Sequence, residues 1–112
     1  MSHYQRVLLF CCALTFSGAS MAQSLPDGAI QGGSLANQQL IRDAMLGVAA
    51  KVTTLGCDEP EQFFPYVLEM PSGAVGARVW RELWIVEGCA NEYPIKIRFN
   101  EDGPEAATWM IE

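Results

Sequence analysis

The groups in this chain with chemical potential are a few carboxylates, a few cysteines and three tryptophans. Glu82 stands between Trp80 and Trp84 in the stretch Ala77-Arg-Val-Trp-Arg-Glu-Leu-Trp-Ile-Val-Glu-Gly-Cys89, with Glu87 in the same run and Glu69 upstream. Two carboxylates that flank a glycosidic bond can hydrolyse it. Glu82 and Glu87 are an odd number of positions apart, so a regular strand puts them on opposite faces. A glycosidase also wants a long sugar cleft, which is hard to build in a domain of this size. The only histidine is His3. General base work would therefore fall to a carboxylate, lysine or tyrosine with a displaced pKa. No phosphate-cradling glycine loop or dinucleotide fingerprint is present. The expectation is a protein that is not an enzyme and needs no cofactor or metal.

The first 22 residues set the compartment. Arg6 precedes the apolar run Val7 to Phe16, and Ser20-Met21-Ala22 offers small residues around a cleavage point before Gln23. That is the pattern of a secretory signal peptide, so residues 1–22 are expected to be removed and the protein to be periplasmic or secreted. The apolar run falls short of the roughly 20 residues that span a bilayer, and no membrane insertion is expected after cleavage. His3, Arg6, Cys11 and Cys12 would leave with the leader. Six basic side chains then face 13 acidic ones, a formal charge of −7. Nucleic acid is a poor partner for such a chain, because its affinity comes mainly from lysine and arginine neutralising phosphates.

Cys57 and Cys89 are the cysteines that remain, and an oxidising compartment couples such a pair. The 32-position loop they close is worth roughly 3 to 4 kcal/mol in the chain-entropy model. A redox or zinc role is disfavoured, since the Cys-x-x-Cys spacing is absent and two sulfurs make an incomplete zinc site.

One domain must position these groups. Residues 23–33 hold Pro26, Asp27, Gly28, Gly32 and Gly33 and read as a flexible lead. With Ser34 as N-cap, Leu40, Ile41, Ala44, Met45, Val48, Ala49 and Val52 recur at helical spacing, and Gly56 closes the helix. Gln62 to Met70 has strand character, with Pro65 best placed at an edge or bulge. A glycine-bearing hairpin, Pro71 to Gly76, leads into the tryptophan strand. Ala90-Asn91-Glu92 is the next turn, Tyr93 to Phe99 alternates cleanly, and Ala106 to Ile111 can form a last strand carrying Trp109. Residues 34–112 thus read as a single α+β domain: one N-terminal helix packed on a four-stranded antiparallel meander, with one disulfide. In the tryptophan strand, Trp80, Glu82, Trp84 and Val86 share one face, and Val79, Leu83 and Ile85 share the other with Arg81 and Glu87.

The residues Cys57, Gly76, Trp80, Glu82, Trp84, Cys89, Ile95, Ile97, Phe99 and Gly103 form a pattern that resembles a group of small uncharacterised secreted bacterial proteins. Its core is a glycine followed by Trp-x-Glu-x-Trp and then a cysteine. That resemblance implies an exported single domain and transfers no activity. Where that group often has Cys-Gly, this chain has Cys89-Ala90. The order of helix and meander is also similar to the cystatin-like arrangement, whose hairpin loops enter thiol protease clefts. Ser72-Gly73-Ala74-Val75-Gly76 lies at the corresponding place, and only Gly76 matches the family's loop motif in register.

Two readings of the tryptophans stay open at this level. Trp80 and Trp84 can be core, with their ring N–H groups paired, or they can flank Glu82 on a binding face that also uses Trp109. The favoured function is an exported protein-binding module, such as an accessory, inhibitor or immunity factor, that recognises another envelope or exported protein. The alternatives are a carrier for a small apolar ligand held between helix and sheet and, last, a carboxylate-dependent hydrolase. Lys96, Arg98 and Pro65 guard against edge pairing, so a monomer is expected.

Overall fold

The computed structural model describes residues 24–112, so the leader assigned to residues 1–22 lies outside the described residues. The element order is β1 (Gln31–Gly32), α1 (Gln38–Thr54), β2 (Pro60–Ser72), β3 (Val79–Gly88), β4 (Asn91–Glu101) and β5 (Ala107–Ile111). The strands pair in the order β1-β2-β3-β4-β5, every neighbour antiparallel. One helix packs against four principal strands, as the periodicities predict. No helix among the described residues is long and apolar enough to cross a membrane.

The expected flexible lead is corrected in part. Gln31 and Gly32 pair with Val67 and Tyr66, and the amides of Ile30 and Gly33 donate to the carbonyls of Val67 and Pro65 at 2.8 Å each. Glycine and proline content predicts turns here, but an unpaired β2 edge supplies hydrogen-bond partners that composition cannot reveal. Pro65 is tolerated for the same reason. Its carbonyl faces β1, so its nitrogen does too, and it removes no bond from the β2–β3 ladder.

Helix α1 starts three residues later than its expected cap. Asn37, not Ser34, accepts the Leu40 amide at 2.8 Å. At the other end, the amides of Gly56 and Cys57 donate to the carbonyls of Thr53 and Val52 at 3.0 and 3.1 Å. With Gly56 at φ +112°, these two bonds form a Schellman motif that satisfies carbonyls the helix leaves free. The chain emerges at Cys57, whose disulfide to Cys89 (Cα–Cα 5.7 Å) joins the end of α1 to the β3–β4 turn.

The buried face of α1 is Leu40, Ala44, Val48 and Val52. Opposite it lie Trp80, Trp84 and Val86 of β3 and Ile95, Ile97 and Phe99 of β4. Trp80 stacks on Phe99 with ring centroids 5.1 Å apart, and Phe63 meets Trp84 edge-on at 6.5 Å. Trp109 is half-buried against the helix at Gly47, where an added Cβ would sit 2.0 Å from the indole. Glycine inside a helix costs about 1 kcal/mol relative to alanine. Here its missing side chain lets the ring approach the backbone.

The turn between β3 and β4 also differs from expectation. Gly88 pairs with Asn91, so the loop is Cys89-Ala90, with φ of 53° and 61°. Two consecutive residues at positive φ give a two-residue hairpin loop of the type whose twist matches the flanking strands. Neither is glycine, and the disulfide holds Cys89 in place.

Candidate functional site

The helix covers one face of the sheet and leaves the other open. The sequence-predicted site residues are on the covered side. Glu82 is fully buried and Trp84 and Trp80 retain 1% and 6% of their exposure. The reading of Trp80, Glu82 and Trp84 as an exposed binding face is therefore corrected. Even positions of β3 point at α1, whose apolar stripe needs a facing layer of large side chains.

Glu82 is a buried polar hub. Its Oε1 accepts the indole N–H of Trp84 at 2.8 Å. Its Oε2 accepts the indole N–H of Trp80 at 2.8 Å, the Leu35 amide at 2.8 Å and the Ser34 hydroxyl at 3.1 Å. Ser34 Oγ in turn accepts the Ala36 amide at 3.0 Å. Four donors meet one carboxylate, which ties the segment entering α1 to the centre of the sheet. A buried carboxylate is tolerated only when its oxygens are satisfied in this way. Local spacing puts Ser34 at the helix cap because its actual partner is 48 positions away.

The three carboxylates with hydrolytic potential are not brought together. Glu82 is enclosed on the helix side, Glu87 lies on the open face, and Glu69 pairs with Arg81 at 2.9 Å. Trp109 belongs to the packing against Gly47. Cys57 and Cys89 are joined as expected.

The open face is organised in rows that register dictates. Across β2, β3 and β4 the rows are Glu69–Arg81–Arg98, Tyr66–Leu83–Lys96, Phe64–Ile85–Pro94 and Gln62–Glu87–Glu92. At the first row the charges are matched. Arg81 donates to Glu69 and, through two nitrogens, to both oxygens of Glu112 at 2.9 and 2.7 Å, and Arg98 lies 3.6 Å from Glu112. Hydrogen bonding from Arg81 holds the Glu112 carboxyl below its usual range. At the last row the charges are unmatched. Glu87 and Glu92 are directly opposed, and among the described residues neither forms an ion pair.

A groove of about 470 Å³ reaches this end of the face; Phe64, Tyr66, Ile85, Leu25 and Pro26 give it apolar surface, and Ser24, Glu87 and Glu92 give it polar surface. A second depression of about 610 Å³ adjoins it through the same two glutamates and adds Glu61. Phe64 and Leu25 retain 37% and 44% of their exposure. No family model, curated protein or solved structure matches this chain.

Sequence reasoning passes over Phe64, Tyr66 and Glu92. A signal is present, since Phe64 and Tyr66 share one parity in β2 and Ile85 has the open-face parity in β3. Joining them requires the β2–β3 register, which a bulge between Val67 and Glu69 obscures.

Beyond the face, Glu101 organises the loops at one end of the sheet. Its Oε1 accepts the amides of Gly76 and Arg78 at 2.8 and 3.0 Å and Arg78 Nε at 2.9 Å, and its Oε2 pairs with Arg78 at 2.6 Å. The Gly103 amide donates to the Gly76 carbonyl at 2.9 Å, so the β2–β3 and β4–β5 connections are bonded together. The side-chain hydrogen bonds from Arg78, with the amides of Arg78 and Gly76, lower the Glu101 pKa to about 2.

Proposed function

We propose that this chain is an exported, non-enzymatic protein-binding module that docks another envelope or exported protein on the open face of its sheet. The observation that carries the reading is the partly exposed Phe64, Tyr66 and Ile85 groove on the face that α1 leaves uncovered. Aromatic side chains in a depression with a polar rim are the usual anchors of such contacts. The buried tryptophans serve this function indirectly, by holding the strand that presents the groove.

The test is capture from a native envelope extract with the oxidised protein and a Phe64→Ala/Tyr66→Ala version checked for folding by circular dichroism. A partner retained by the first and lost by the second supports the reading. A partner held equally by both moves the surface elsewhere. A cleft of about 420 Å³ at one end of the helix–sheet interface, where Leu35, Leu40 and Trp80 face the Arg78–Glu101 pair, supports the carrier as a second reading, for a ligand with both an apolar and a polar part. Native mass spectrometry that finds a bound molecule of that kind would promote it.

A further inference from the structure

We infer that the groove takes a basic segment of the partner that carries one large apolar side chain, a conclusion that rests on the open face being the docking surface. The groove divides its chemistry in two. Phe64, Tyr66, Ile85, Leu25 and Pro26 supply an apolar bed, and Glu87 and Glu92 border both depressions. An apolar side chain seated on Phe64 and Ile85 therefore has its flanking residues beside carboxylates.

Charge complementarity decides the occupant. Directly opposed like charges on neighbouring strands are destabilising, and the Glu87–Glu92 pair carries that cost in the free protein. Elsewhere on the same face, Arg81 and Arg98 flank Glu112 and Arg81 also meets Glu69. The groove end has no such cation among the described residues. Lysine or arginine from a partner would supply it, so part of the repulsion is released only on binding. The chain's net charge of −6 attracts a cationic partner from a distance and repels an acidic one. Aromatic faces at Phe64 and Tyr66 also suit a cation, since their ring faces are electron-rich.

The test titrates the oxidised, isotope-labelled protein with three blocked peptides of about seven residues: one tryptophan flanked by lysines, the same tryptophan flanked by glutamates, and alanine flanked by lysines. The lysine–tryptophan peptide should shift the amides of Phe64, Tyr66, Ile85, Glu87 and Glu92 and bind about tenfold more tightly than either control, with affinity falling as salt is raised. A Glu87→Gln/Glu92→Gln version, which loses only a repulsive pair, should fold normally and lose most of that preference. Equal binding of the lysine- and glutamate-flanked peptides at the groove would overturn the basic-segment inference and leave the docking surface standing. Groove binding by the lysine–alanine peptide equal to that of lysine–tryptophan would overturn the apolar anchor. If no peptide shifts groove amides, the inference fails, and the capture experiment with Phe64→Ala/Tyr66→Ala judges the surface separately.

Discussion

The indole N–H of Trp84 donates to Glu82 Oε1 at 2.8 Å from two positions along the same strand, while three other donors converge on Oε2. The two carboxylate oxygens therefore have separable partners. Glu82→Gln can keep an oxygen toward the group of three only by turning its amide nitrogen toward the Trp84 N–H. Two donors would then face each other in a buried site, at a cost of about 1–3 kcal/mol. Trp84→Phe removes one of them. In a double-mutant cycle read by urea unfolding, Trp84→Phe should cost less in the Glu82→Gln background than in the parent, with a coupling of about 1 kcal/mol. Strict additivity would contradict the geometry.

Gly47 gives a prediction whose sign depends on a partner. Gly47→Ala improves helix propensity by about 1 kcal/mol, but its Cβ would lie 2.0 Å from Trp109 Cη2. Displacing the ring costs about 1–3 kcal/mol, so the melting temperature should fall. In a Trp109→Ala background the obstacle is gone, and the same substitution should raise it.

Ala90 adopts φ 61° in a two-residue turn. A non-glycine residue in that region costs about 1–2 kcal/mol, and glycine avoids most of it at some expense in unfolded-state entropy. Ala90→Gly should therefore stabilise the oxidised protein by about 1 kcal/mol in denaturant unfolding. A loss of stability would mean that the turn is held differently.

The Glu101 carboxyl has its pKa lowered from an ordinary 4.5 to about 2. A depressed carboxylate contributes stability above its unfolded value and loses it as pH falls toward the folded one. The contribution is thus complete above about pH 5 and lost between 4.5 and 2. The urea midpoint of the parent should fall over that interval, and Glu101→Gln should be less stable at neutral pH with a shallower fall in acid. Parallel curves for the two proteins would remove the role assigned to this carboxylate.

Much of the architecture is legible along the chain. The three- and four-residue spacing from Leu40 to Val52, Gly56 at the helix end and the alternation through Ile95, Ile97 and Phe99 each report a local preference that the fold keeps. The disulfide between Cys57 and Cys89 is the pairing that the cysteine count predicts once the leader pattern is set aside. The turn at Cys89-Ala90 escapes such a reading because glycine and asparagine are the usual signals for positive φ, and here a disulfide and strand register impose it without them.

The site is less legible, for a physical reason. Alternation groups Trp80 with Glu82 and Trp84 from sequence alone, yet it is symmetric between the two faces of a strand. Only the position of α1 decides which face is core, and the helix covers the side with the two indoles. The pairing of Ser34 with Glu82, the approach of Trp109 to Gly47 and the opposition of Glu87 to Glu92 join residues through packing or strand register. By itself the sequence determined the helix, the four principal strands, their order and the charge, since these are set by neighbours along the chain, whereas the short β1 needed the edge of β2. Which carboxylate is buried and satisfied, and which pair is left without a cation, was decided by the tertiary structure, because desolvation and counter-charge belong to the assembled surface.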